Sequence, residues 1–205
     1  MPVGLKGNSD GSGAIQIGGS DAISISTGLN TTFAGTITAT GTVAGTTGTL
    51  YPIVSGTAVT ASGTSIDFTG IPSWAKRITV MFQGVSTNGT SIVQTQIGAG
   101  SVTTSGYNSS SSYLATTTGT TQATTGFLIH AGATGATILR SGHLILTNIS
   151  SNIWVASGLF KSDSVADTGT SVGTVTLSGT LDRVRITTVN GTDTFDAGTI
   201  NLLWE

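Results

Sequence analysis

The chain has 205 residues, of which 37% are hydrophobic and only 8% are charged, with a formal net charge of −2 at pH 7. That balance excludes the charge-rich, weakly apolar composition of a disordered chain, and the lack of any basic cluster excludes a phosphate-binding footprint for nucleic acid. With no cysteine, disulfides, thiolate metal sites and cysteine nucleophiles are excluded too.

In residues 1–50 the large apolar side chains are sparse and come as couplets between glycines: Ile15 with Ile17, Ile23 with Ile25, then Phe33 and Ile37. Such couplets make strands too short to stand unless another surface covers them. The segment could be a mobile tail, could lie along another protein, or could intertwine with copies of itself. The Ile-x-Ile alternation would be wasted in a tail, so these six residues are the expected attachment and oligomerisation contacts. The glycines keep no fixed period, which argues against a β-helix repeat.

Tyr51 opens the part of the chain able to build a core, expected as one domain over residues 51–205. Residues 57–60 read as a short strand. The densest apolar stretch follows over residues 66–85. Ile66 and Phe68 alternate with Asp67 and Thr69, the period of a half-buried strand. Pro72 then ends it, because it has no N–H and holds Ile71 extended. Ile78, Val80 and Phe82 share one face and Arg77, Thr79, Met81 and Gln83 the other, with β-branched and aromatic residues favouring a strand. Trp74 falls between the two strands, where a large aromatic serves more often as a core plug than as a sugar-stacking platform.

Asn88-Gly89 carries the signal of a type I′ hairpin turn, with residues 91–97 as the returning strand. Residues 98–125 form a long Ser/Thr-rich stretch around Tyr107 and Tyr113, read as a functional or disordered loop. Strand-like runs resume at 126–129, at 136–146 with a kink near Gly142, and at 152–160. Residues 161–169 read as a polar loop. Runs at 172–181, 184–189 and 199–204 complete the set, with a tight turn at Asn190-Gly191. Eight or more short strands with no helical period predict an all-β fold, an antiparallel, jelly-roll-like β-sandwich.

Chemical constellations are thin. Gly7-Asn8-Ser9-Asp10-Gly11 matches G-x-S-x-G without the strand and helix that motif needs. His130 and His143 stand away from carboxylates in sequence and read as structural. Glutamate occurs only as Glu205, and Asp163, Asp167, Asp193 and Asp196 fall in turns. A glycosidase pair is therefore missing, and Asp163 with Asp167 makes a weak calcium loop. Asp182-Arg183-Val184-Arg185 reads as a solvated strand face rather than an inter-subunit ion pair. The N-x-[ST] triplets at Asn30, Asn88, Asn108, Asn148 and Asn190 follow from abundant Ser and Thr. No catalytic, cofactor-binding or metal residue is expected.

The stretch DFTGIPSWAKRITVMFQGVSTNGTS (residues 67–91) and the ending TFDAGTINLLWE (residues 194–205) resemble a domain of tailed-phage structural proteins, among them tail-fibre and head-fibre components. The opening GAIQIGGSDAISISTGLNTTFAGTITATGT (residues 13–42) resembles the N-terminal parts of phage fibre-like proteins. The resemblance transfers no catalytic residue. It implies a trimer with a β-rich display domain.

The opening MPVGLKGNSDGSG lacks the apolar core of a signal peptide, and no run approaches the ~20 apolar residues of a membrane helix. A virion component, made in the host cytoplasm and released by lysis, reconciles a Thr/Gly/Ser-rich surface with no export signal. The expectation is a non-enzymatic small fibre or capsid-decoration protein. Residues 1–50 would hold it to itself, as a homotrimer, and to capsid or tail proteins. The sandwich would contact host-surface glycan through Tyr107, Tyr113 or Trp74. A receptor-binding tail fibre, a glycan depolymerase with carboxylates in a cleft, and a cellular adhesin or ice-binding module are the alternatives. No cofactor, nucleic-acid partner or membrane insertion is expected.

Overall fold

A computed structural model describes residues 51–205 apart from Ala133, together with the backbone of five short strands among the first fifty residues. Two compact units emerge, Met1–Thr49 and Leu50–Glu205. In the first, β1 (Gly4–Gly7), β2 (Gly13–Ile17) and β3 (Ser20–Asp21) form an antiparallel sheet. A separate pair joins β4 (Val43–Gly45) to β5 (Gly48–Leu50). Ile15 and Ile17 lie in β2, whereas Ile23, Ile25, Phe33 and Ile37 lie outside the described residues.

The second unit is an all-β sandwich of antiparallel sheets. Its strands run β6 (Val54–Ser55), β7 (Val59–Thr60), β8 (Ser65–Thr69), β9 (Arg77–Thr87), β10 (Val93–Ala99), β11 (Ser101–Val102) and β12 (Asn108–Leu114). They continue with β13 (Thr118–Ala123), β14 (Phe127–Leu128), β15 (Arg140–Ser150), β16 (Ile153–Ser162), β17 (Thr168–Thr176), β18 (Arg183–Thr188) and β19 (Phe195–Trp204). A nine-stranded sheet has the order β13-β12-β17-β16-β15-β9-β19-β6, with β7 also on β19. A five-stranded sheet has the order β11-β10-β18-β8, with β14 also on β10.

The strand periodicity that the sequence shows most clearly builds the core. Ile78, Val80 and Phe82 of β9 are buried, as are Leu144 and Leu146 of β15 and Ile200 and Leu202 of β19. They join Ile66, Val93, Ile97, Val184 and Ile186 of the smaller sheet in one cluster. Phe82 and Phe160 meet edge to face, their centroids 5.7 Å apart. Burying side chains of this size contributes roughly 1.5–3 kcal/mol each before the entropy of ordering is counted. The kink expected near Gly142 is a register irregularity between Arg140 and Gly142 against β9.

Two expectations are corrected. Asn88-Gly89 is not a hairpin turn, because β9 pairs with β15 and β19, while β10 pairs with β11, β14 and β18 in the other sheet. Gly89 is not in the left-handed region that a type I′ turn needs. The chain crosses between sheets here, and it crosses back at Asn190-Gly191, where Gly191 does take φ +71°. The two crossovers are stitched together. Asp193 accepts from the Ser91 N–H at 2.8 Å and from Asn190 Nδ2 at 2.6 Å, and Asn88 Oδ1 accepts from the Thr194 N–H at 2.9 Å. Those side-chain bonds hold the chain more firmly than the local turn preference.

The second correction concerns residues 98–125, which hold β11, β12 and β13 rather than one long loop. The inward residues of β12 are serines: Ser109 and Ser111 are buried. Ser109 Oγ accepts from the Leu128 N–H at 3.1 Å, and Ser111 Oγ accepts from the Ala131 N–H at 3.0 Å. Ser111 Oγ also donates to the Thr170 carbonyl at 2.9 Å. Small hydroxyls thus let residues 128–131 lie close against β12.

Candidate functional site

Residues 127–132 leave the small sheet at β14 and carry His130 into the interior, where it is 0% exposed. Two glycines wall the ring. A Cβ on Gly132 would stand 2.3 Å from His130 Cε1, and one on Gly169 would stand 2.5 Å from Cδ2. His130 Nδ1 accepts from the Gly132 N–H at 3.0 Å. In the neutral ring the proton is therefore on Nε2, which faces Asp167 Oδ1 at 3.5 Å, a contact longer than a well-formed hydrogen bond. Asp167 is buried and accepts from the Ser162 N–H at 3.2 Å.

Arg140, paired with Ser162 across the sheet, is buried too, and its Nη1 donates to the Ile138 carbonyl at 3.3 Å. Burial pushes the His130 pKa down; Asp167 opposes that and Arg140 reinforces it. Burial also lowers the Arg140 pKa, against the pull of Asp167. A His–Asp pair is the orienting half of a nucleophilic triad, in which the second ring nitrogen takes the nucleophile's proton. Here that nitrogen already accepts from the Gly132 N–H, and the ring itself is fully buried. The pair sits among backbone contacts that brace residues 130–132 and 162–167.

Open grooves lie around Tyr113, at the end of β12. Its ring lies over Gly119 of β13, where a Cβ would come within 2.7 Å of Cε1. Tyr113 lines a groove of ≈ 590 Å³ with Leu114, Leu159, Lys161, Thr168 and Thr170, and another of ≈ 470 Å³ with Thr116, Thr117, Gly132 and Asp167. Leu114 and Leu159 are 64% and 61% exposed, large apolar groups turned to solvent. Ser112 Oγ and Thr170 Oγ1 are 2.8 Å apart, and Lys161 Nζ is 3.8 Å from Asp163 Oδ1. The larger groove thus offers an aromatic, apolar walls, hydroxyls and one ammonium. Such a surface suits a ligand with both apolar faces and hydroxyls.

No protein family, curated relative or solved structure matches this chain.

Of the three aromatics expected to contact glycan, only Tyr113 lines these grooves. Tyr107 is corrected to a core residue, 2% exposed. Its ring meets Phe127 edge to face at 4.9 Å. Its hydroxyl accepts from the Ile97 N–H at 2.8 Å and lies 3.2 and 3.1 Å from the Ile97 and Thr103 carbonyls. Burial raises the phenol pKa well above its ordinary range. Trp74 is half-buried against the core and stacks on Tyr51, centroids 4.9 Å apart and rings 2° from parallel. The register sets Tyr113 level with Phe82, in the middle of β9, whereas Trp74 precedes that strand. The two do not form one platform.

The His130–Asp167 pair escaped the sequence because their proximity depends on loops that carry no motif. The polar groove of ≈ 330 Å³ on the smaller sheet, lined by Gln94, Gln96, Arg185 and Thr187, escaped it as well. Its one sequence signal is the alternation Gln94-Thr95-Gln96. Gln96 Nε2 donates to the Thr125 carbonyl and Gln94 Oε1 accepts from the Thr125 hydroxyl. The charged knot at residues 182–185 pairs within the chain: Arg185 forks onto Asp67 at 2.7 and 2.6 Å, and Arg183 onto Asp182 at 2.7 and 3.2 Å. Asp163 bonds Ser141 while Asp167 turns inward to His130. Among the described residues no group of three His, Cys, Asp or Glu could hold a metal.

Proposed function

We propose that this chain is a non-enzymatic structural protein of a tailed-phage particle, a small fibre or capsid-decoration protein. Residues 1–50 attach it to copies of itself, as a trimer, and to capsid or tail proteins. The sandwich over residues 51–205 is displayed and contacts host-surface glycan. One observation carries the binding part of this reading. The histidine–carboxylate pair is spent inside the fold, while Tyr113 lies beside an open groove of hydroxyls, exposed leucines and Lys161. A charge-poor display surface also fits recognition by stacking and hydroxyl contacts rather than by ion pairing.

The test uses the full chain, fluorescently labelled, on whole bacterial cells. Periodate, which cleaves the vicinal diols of surface glycans, is expected to abolish binding. Tyr113→Ala, checked for unchanged circular dichroism, is expected to weaken it about three- to tenfold, the loss of one ring contact. Binding unaffected by either change would overturn the glycan assignment. New reducing ends on cell polysaccharide would overturn the non-enzymatic one.

A further inference from the structure

Each sheet of the sandwich ends in two edges, and natural proteins blunt such edges by shortness, charge, proline or bulges. At one end of the nine-stranded sheet, β6 and β7 have two residues each. At one end of the five-stranded sheet, β11 and β14 are equally short. Its other edge, β8, carries Asp67 at its centre, paired with Arg185. The remaining edge, β13, is different. It runs six residues, Thr118-Gly119-Thr120-Thr121-Gln122-Ala123, with no charge and no proline, and its register on β12 is unbroken from Thr118 to Ala123. Thr118, Thr120, Thr121 and Gln122 are exposed.

We propose that β13 is a self-association edge, at which the sandwiches of two copies pair β13 to β13, antiparallel, about a two-fold axis perpendicular to the sheet. Alternate residues of the strand turn their N–H and C=O groups outward, and an identical antiparallel edge satisfies them reciprocally. The sequence argues for a second copy as the occupant. Such an axis sets one central residue directly against its own counterpart, with Cβ atoms about 5 Å apart, so any charge there would meet itself. Thr120 and Thr121 at the centre carry none. Their β-branched side chains suit a strand, and facing threonines can hydrogen-bond. The contact uses residues 118–123, which are not among the attachment residues proposed within residues 1–50. It would join display domains of neighbouring assemblies in pairs.

The experiment measures amide exchange at residues 118–123 in the full chain as concentration rises. Exchange there is expected to slow about tenfold over about a hundredfold rise in concentration, by mass action, while the core strands stay unchanged. Thr120→Lys and Thr120→Glu each alter an exposed side chain. Alone, each is expected to lose the concentration dependence while keeping the parent's melting temperature at the lowest concentration, and an equimolar mixture of the two is expected to restore the dependence. Exchange at 118–123 that is independent of concentration in the unaltered chain would overturn the proposal, whether the strand is open or covered by its own chain. Failure of the mixture to restore the dependence would overturn it as well.

Discussion

Protonating His130 would set a second donor, Nδ1–H, against the Gly132 N–H that now donates to that nitrogen. Burial opposes the charge, so the folded-state pKa is below the ordinary value of about 6.5, although Asp167 pulls the other way. Below about pH 6.5 the unfolded chain binds this proton more readily than the folded one. The stabilisation is therefore complete above that pH and is lost as pH falls. Melting temperatures taken from about pH 8 to about pH 5 are expected to decline, and His130→Gln, referenced to its own value at about pH 8, should flatten that decline.

Tyr107 offers a second test at this scale. Tyr107→Phe keeps the ring on Phe127 and removes the acceptor of the buried Ile97 N–H, a loss of about 1–3 kcal/mol measurable by denaturant unfolding. Neither residue's environment could be read beforehand. A tyrosine amid serines looks like a surface residue, and its burial depends on Ile97 and Thr103 closing round the hydroxyl.

Whether an element was legible depended on what fills its inward face. In β9 the inward Ile78, Val80 and Phe82 contrast with Arg77, Thr79 and Gln83, so the strand shows in the sequence and lies where expected. In β12 the inward and outward residues are alike, serine on both faces, so polarity carries no period. Burial and the bonds that Ser109 and Ser111 make to the backbone of residues 128, 131 and 170 distinguish the faces. Ser111→Ala would leave the Ala131 N–H without its acceptor and is expected to cost about 1–3 kcal/mol, while Ser110→Ala, on the other face, should fall within about 0.5 kcal/mol of the parent. Equal losses at the two positions would contradict this assignment of faces. The Asn88-Gly89 crossover was misread for a related reason. The dipeptide suits a hairpin, yet the bonds that hold this crossover, from the Ser91 N–H to Asp193 and from the Thr194 N–H to Asn88, reach a loop distant in sequence.

For the whole molecule, charge poverty was the most informative quantity in the sequence. A hydroxyl-rich, charge-poor exterior over an apolar sandwich follows from it directly: outward residues of the nine-stranded sheet include Thr168, Thr170, Val172 and Leu159, and its few charges include Arg77 and Lys161. A surface of that kind has little long-range electrostatic steering and joins partners by shape, stacking and hydroxyl contacts. Display on a particle suits it, since many copies acting together offset weak individual contacts. The most direct measurement is electron microscopy of virus particles banded from a lysate of the cells that make this chain, labelled with antibody against residues 51–205. Label at regular positions on the capsid or tail is the expected result. Unlabelled particles, with the chain recovered elsewhere in the lysate, would contradict the assignment.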